Sequence, residues 1–305
     1  MSKLSPSLKG LINAPFARPG PTPAPRNIEA VYTKIADEAR ERKYGEKPWL
    51  ALSAAATFTL NSPSSLESLL RLASTRLSPS SFPSSSSKND ALLESAEFIR
   101  EIGLKCISFN GIPRTINSLN TFRAHLSSSS HPASLSASLS TTPTRQTTPQ
   151  NISAVHARGR QLWESVYTPL DAKLEAKLAE AHPDLPVHIL GSHYGPLLSD
   201  PEERNGLGTV GRTLTSVVAI ACLRAQTGVG PQVLSHVFGL RKAVEQGAHT
   251  EEFKQKGEEA EGMERLASDE GCEWILKSVD AISEAMAQEG SGFAMPMGRK
   301  RESKL

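Results

Sequence analysis

The chain has 305 residues, with 34 Lys plus Arg against 32 Asp plus Glu, a formal net charge of +2. A charge this balanced, with no basic stripe interleaved with aromatics, argues against nucleic acid as a partner, and no run approaches the roughly eighteen apolar residues of a membrane span, so no membrane insertion is expected. The three cysteines, Cys106, Cys222 and Cys272, stand far apart with no CxxC or Cys/His zinc spacing, which fits a reducing compartment and neither a disulfide scaffold nor a zinc site.

Residues 1–26 read as a disordered, Pro-rich leader. Pro15, Pro19, Pro21, Pro23 and Pro25 forbid a sustained helix, leaving room for a short one over residues 4–14. Lys3, Lys9, Arg18 and Arg26, with no acid before Glu29, give the leader a transit-peptide-like composition. That composition is the basis of a mitochondrial alternative for location.

Residues 27–126 read as a first helical lobe. Ile28, Val31, Ile35 and Ala39 recur at helical spacing in 27–43, and further helices are expected over 49–60 and 65–75. A longer one over 90–109 puts Leu92, Ala96, Ile99, Ile102 and Cys106 on one face. Gly111 breaks it, and Pro113 then opens a helix to residue 124, where its missing N–H costs nothing. The Ser-rich stretch 77–89 reads as a loop in this lobe, and the Ser/Thr/Pro-rich stretch 127–153 as a low-complexity linker.

Residues 154–289 read as a second helical lobe. One helix is expected over 154–180, then a Pro/His/Gly-rich connection over 181–207. Helices over 209–227 and 232–246 follow, separated by the Gly228 to Pro231 turn. Polar residues 247–265 read as a solvated helix or loop, 268–289 as a last amphipathic helix, and 290–305 as a flexible tail. Nothing alternates with period two, so the fold class is all-α.

Two segments carry a resemblance. The run from Arg212 to Ala225, the glycine turn after it, and the run from Gln232 through His236 to Ala243 are together similar to the paired-helix core of the alkylhydroperoxidase AhpD-like and carboxymuconolactone decarboxylase-like families. This core spans about residues 205–245. Gly159 to Trp163 and His193-Tyr194-Gly195 resemble the entry helix and aromatic-glycine step of the decarboxylase branch. Gly111 to Leu119 looks like the closing part of the same repeat. The resemblance implies a helical bundle of two pseudo-repeated lobes that forms homo-oligomers and works without a cofactor.

The AhpD branch uses a Cys-x-x-Cys-x-x-x-His run, and laying His236 on its histidine puts Val229 and Gln232 at the cysteine positions. Neither side chain can be oxidised or act as a nucleophile, so dithiol peroxidase chemistry is not expected there. The decarboxylase branch carries Glu-x-x-x-His, and Gln232 and His236 keep the spacing. Glutamine can orient a carbonyl or water but cannot carry a proton. His236 is therefore the candidate acid or base, with Gln232 and Tyr194 as catalytic partners and Arg212 for substrate binding. A hydrogen-bonded core histidine is the competing reading of His236.

Other side chains carry less. Cys106 and Cys222 lie among aliphatic residues and read as packing thiols, which pseudo-repeat packing would bring together. His182, His188 and His193 share one connection, but their spacing does not define a metal site, and no metal is expected. Arg114 and Asn117, a turn apart, suit either an anion or a solvated helix start.

The sequence closes on Ser303-Lys304-Leu305, behind Arg299, Lys300 and Arg301. As a terminal tripeptide this is a peroxisomal address read by an import receptor, and it arises by chance roughly once in several thousand chains. The expectation is a peroxisomal matrix protein. It is either an oxidoreductase or decarboxylase-type enzyme on a small oxygenated organic substrate, or a binding or scaffold protein without the reactive Cys pair.

Overall fold

The computed structural model describes residues 4–76, 88–128, 133–253 and 257–287. Residues 77–87 of the Ser-rich stretch and the whole of the tail, 290–305, with its Ser303-Lys304-Leu305 tripeptide, lie outside them. Among the described residues the fold is all-α, with no strand.

The leader contains a short helix, α1 (Pro6–Ile12), capped by the Ser5 hydroxyl, and a 3-10 turn, Pro15–Ala17. It is not formless: Pro6 and Pro15 each open a helical turn, where the missing N–H is harmless. Next come α2 (Ile28–Glu41), α3 (Glu46–Thr59) and α4 (Pro63–Arg76). Helix α2 is amphipathic and buries Ile28, Tyr32, Ile35, Ala36 and Ala39. Helix α3 is buried on every side from Pro48 to Thr59. Its Ala and Ser side chains let α2, α4, α5 and α12 approach closely.

The helix expected over 90–109 is two, α5 (Lys88–Lys105) and α6 (Ile107–Asn110), parted at Cys106. Helix α7 (Ile112–Leu126) starts behind Gly111, at φ 75°. The stretch read as a linker carries α8 (Ala133–Ser138) and is packed on α5. Leu135 and Leu139 are buried, the Ser140 N–H donates to Glu97 at 2.7 Å, and Arg145 pairs with Glu101 at 2.5 Å. Low complexity hid these two leucines and one arginine, which suffice to dock the segment.

The helix expected over 154–180 is also two, α9 (Ile152–Tyr167) and α10 (Asp171–Ala181). Pro169, between them, has no N–H to continue the first. The expected connection contains α11 (Asp184–His188) and a ten-residue π-helical segment, Ile189–Leu198. Helices α12 (Gly211–Gln226) and α13 (Gly230–Glu245) follow close to expectation. Residues 247–265 form α14 (Ala248–Glu252) and α15 (Gly257–Leu266), and α16 (Asp269–Ala287) ends the described chain.

Both halves of the chain share one core. Helices α3 and α12 lie side by side at its centre, and α16 packs on both. Residues of α2, α3, α4 and α5 belong to the same apolar cluster as those of α12 and α16. Cys106 and Cys222 meet there, Sγ to Sγ 3.5 Å and both fully buried. A smaller cluster of Trp163, Tyr194 and Leu198 sits between α9 and the π-helical segment.

A buried charge network holds the long connections to α5. The Lys105 ammonium has no exposed surface; it lies 2.8 Å from Asp200 and donates to the Leu198 carbonyl. Arg145 and Arg204 both pair with Glu101, the latter at 2.8 Å. Burial alone would raise the Asp200 carboxyl, but Lys105, the Gly211 N–H and Arg204 hold it below its usual value.

Candidate functional site

Three of the four site residues singled out by the sequence, Tyr194, Arg212 and His236, converge around the N-terminal end of α12, where α9, the π-helical segment and α13 meet. Gly159 on α9 makes this possible. A Cβ there would lie 2.6 Å from the Gly195 nitrogen, and one on Gly195 2.8 Å from the Val155 carbonyl oxygen. The two backbones therefore touch. Trp163 and Tyr167, one and two turns beyond Gly159, then reach Tyr194. Ring centroids are 5.1 Å apart for Trp163–Tyr194 and 4.2 Å for Trp163–Tyr167. The Tyr194 hydroxyl donates to the Tyr167 hydroxyl at 3.1 Å.

His236 enters from α13. The residue is 8% exposed, and its ring meets Phe109 edge-on at 6.0 Å and Tyr167 at 6.2 Å. Burial, and then the charge of Arg212, lower its pKa from 6.5 to about 4. The imidazole is neutral at pH 7. Its Nδ1 is buried and makes no hydrogen bond, and the same holds for Trp163 Nε1. The reading of His236 as a hydrogen-bonded core histidine is thus not met at Nδ1.

Arg212 is engaged within the protein. Its Nε donates to Ser165 Oγ at 2.6 Å and one terminal nitrogen to Ser216 Oγ at 2.7 Å. The other donates to the carbonyls of Ser165 at 3.1 Å and Gly239 at 2.8 Å. The guanidinium thereby ties α12 to α9 and α13, and Gly239 lets α13 come near, since a Cβ there would sit 3.0 Å from Val166. Burial lowers the Arg212 pKa to about 10, which leaves it charged at neutral pH. Burial raises Tyr194 well above its usual value and raises Tyr167 too, so both phenols stay protonated. Glu252 accepts the backbone N–H groups of Arg212 and Thr213, which caps α12.

The arrangement can move one proton at His236, beside two neutral phenols and a fixed cation. Gln232 does not join it. That side chain lies one turn before His236 but is exposed. Trp163, Tyr167, Ser165, Ser216 and Gly239 belong to the cluster; Trp163 was reached from sequence only as the end of the entry-helix resemblance, and none of the five was singled out as a site residue. Only the first two had a signal, their helical spacing from Gly159.

The remaining candidates are placed apart. Cys106 and Cys222 lie in the main core, where burial, and then the neighbouring Cys222 thiol, push Cys106 well above its usual value. The rings of His188 and His193 are 5.1 Å apart, and His193 Nδ1 is 3.1 Å from Ser108 Oγ. His182 is exposed, with Nδ1 accepting the Asp184 N–H. Among the described residues no three His, Cys, Asp or Glu converge as a metal set. Arg114 donates to the Thr59 carbonyl and Asn117 lies 3.5 Å from Asn61, contacts that hold α7 to the end of α3. Clefts elsewhere include one of about 500 Å³ beside His156, Arg160 and Glu175, one of about 460 Å³ beside Lys47, Glu97 and Glu252, and one of about 510 Å³ beside Arg18, Leu60, Asn61 and Arg114.

No known protein family, curated protein or solved structure matches this chain.

Proposed function

We propose that this protein is an acid–base enzyme of the AhpD-like, carboxymuconolactone decarboxylase-like kind, acting on a small oxygenated organic substrate with His236 as proton shuttle. The observation that carries the reading is the buried, unpartnered Nδ1 of a histidine held neutral beside Tyr167 and Arg212. A buried polar atom without a partner costs about 1–3 kcal/mol, and such atoms recur at catalytic positions. A neutral imidazole accepts a proton at one nitrogen and offers one at the other. Arg212 supplies positive charge where an oxyanion would develop. With Val229 at the N-cap of α13 and Gln232 in its first turn, turnover through a disulfide there is not part of the reading.

The test is a panel of β-keto acids, lactones and organic hydroperoxides offered to the wild type, His236→Ala and Tyr167→Phe. The expected result is turnover of one class, with kcat falling roughly 100-fold or more in His236→Ala at an unchanged melting temperature. Wild-type turnover that persists in His236→Ala sinks the proposal.

A second reading, a non-catalytic binding or scaffold protein, is favoured by the exposure of Gln232 and by the internal bonding of Arg212. It predicts no turnover across the panel and no effect of His236→Ala on binding.

Peroxisomal location rests on Ser303-Lys304-Leu305 as a terminal tripeptide recognised by the import receptor. An N-terminal fluorescent tag should give punctate peroxisomal signal that deletion of the tripeptide abolishes; mitochondrial signal in either case overturns it. Homo-oligomers are what the resemblance implies, and light scattering on the purified chain decides that point.

A further inference from the structure

Helix α1 buries none of its residues, yet its sequence is that of an amphipathic helix. Leu8, Leu11 and Ile12 fall at i, i+3 and i+4, one face. Leu4 stands just before the Ser5 cap, and Phe16 sits in the 3-10 turn that follows. These five side chains are 50%, 43%, 62%, 53% and 84% exposed in the order Leu4, Leu8, Leu11, Ile12, Phe16. No other stretch of comparable length exposes so many large apolar groups among the described residues. The segment is tethered just behind: the Thr22 N–H donates to the Asn61 carbonyl at 2.8 Å and the Thr22 hydroxyl to Leu60 at 2.9 Å. Residues 4–18 are thus fixed to the α3–α4 corner, where Phe16, Ala17 and Arg18 line a cleft of about 510 Å³ with Leu60, Asn61 and Arg114, and α1 precedes this cleft with no residue buried.

We propose that this segment docks the folded protein onto an anionic lipid surface. Charge supports that occupant. Lys9, Arg18 and Arg26 are exposed, and no acidic residue precedes Glu29, so the apolar groups are flanked by positive charge alone. Basic residues next to such a face strengthen attachment to anionic headgroups. Seven helical residues rise about 10 Å against a hydrocarbon core of about 30 Å, so α1 lies in the interface and does not cross it.

The test is co-sedimentation of the full chain with phosphatidylcholine vesicles, with or without about 30% phosphatidylserine. The expected result is at least tenfold stronger retention on the anionic vesicles, lost in about 0.5 M NaCl. A Leu11→Glu/Ile12→Glu variant should bind at least tenfold more weakly with an unchanged melting curve, because neither side chain is buried. Leu234→Glu, at another exposed aliphatic on α13, should bind like the wild type. Equal retention on both vesicle types, undiminished binding by the double variant, or an equal loss in Leu234→Glu each overturns the proposal. So does cross-linking of residues 4–18 to a protein groove in place of lipid.

Discussion

Gly159 and Gly195 touch backbone to backbone, and this contact sets how α9 lies on the π-helical segment. A Cβ on Gly159 would stand 2.6 Å from the Gly195 nitrogen and 2.7 Å from its Cα, closer than any relaxed contact permits. Neither atom is the end of a flexible side chain, so neither can swing away. The ring cluster of Trp163, Tyr167 and Tyr194 is built directly on this approach.

Gly159→Ala should therefore destabilise the protein, although alanine is the better helix former by about 1 kcal/mol. Forced separation of two packed backbones costs roughly 2–4 kcal/mol. Urea denaturation monitored by tryptophan fluorescence checks the expected loss. A gain in stability would show that α9 and the π-helical segment separate freely.

The depressed pKa of His236 predicts a pH dependence of stability. The group titrates near 6.5 when unfolded and near 4 when folded. Between these values the unfolded chain binds the proton and the native one does not. Stability is therefore intact at pH 7 and lost as pH falls from about 6.5 towards about 4, by up to about 3 kcal/mol. In His236→Leu that part of the slope should vanish from urea midpoints measured at pH 7, 6, 5 and 4. An unchanged slope would assign the titration to another group.

Lys105→Met removes the cation between Asp200 and the Leu198 carbonyl, and leaves the carboxylate buried with less compensation. A loss of about 3–5 kcal/mol is expected in chemical denaturation. Lys105→Met combined with Asp200→Leu should recover part of it, since no unpaired charge then remains. Additive losses in the double variant would contradict a direct pairing.

Cys106 and Cys222 should resist thiol reagents in the folded protein. Both are fully buried, 3.5 Å apart, and burial keeps Cys106 protonated. Labelling by an aromatic disulfide should be slow in buffer and fast in denaturant. Cys222→Ala should cost about 1 kcal/mol, the contact energy of one packed sulfur. Fast native labelling of either thiol would show that the core opens at the α5–α6 junction.

The amphipathic spacings of α2, α7, α12, α13 and α16 placed those helices close to where they lie. The missed break at Pro169 and the unforeseen π-helical segment have a common reason. Both lie in stretches where apolar periodicity was read across, or abandoned at, a proline. The site was partly legible. Gly159, Tyr194, Arg212 and His236 do gather at one place, whereas Gln232, a turn from His236 in sequence, faces outward. Helical spacing says which residues share a face but not how far that face reaches into a neighbour.

Helix α5 shows the division most directly. Glu97, Glu101 and Lys105 recur every four residues, and by themselves they describe a charged stripe suited to water. In the folded chain all three are buried, because residues 133–145 and 198–204 cross that stripe and bring Arg145, Asp200 and Arg204 to it. The sequence by itself determined that the chain is helical, where α2, α3, α4, α7, α12, α13 and α16 begin and end to within a few residues, and which of their faces are apolar; these follow from local spacing and from proline and glycine. Only the tertiary structure decided that a serine-rich stretch is docked, that two distant thiols touch, and that His236 lacks a partner at Nδ1. Those outcomes depend on contacts between residues tens to more than a hundred positions apart, which no local pattern encodes.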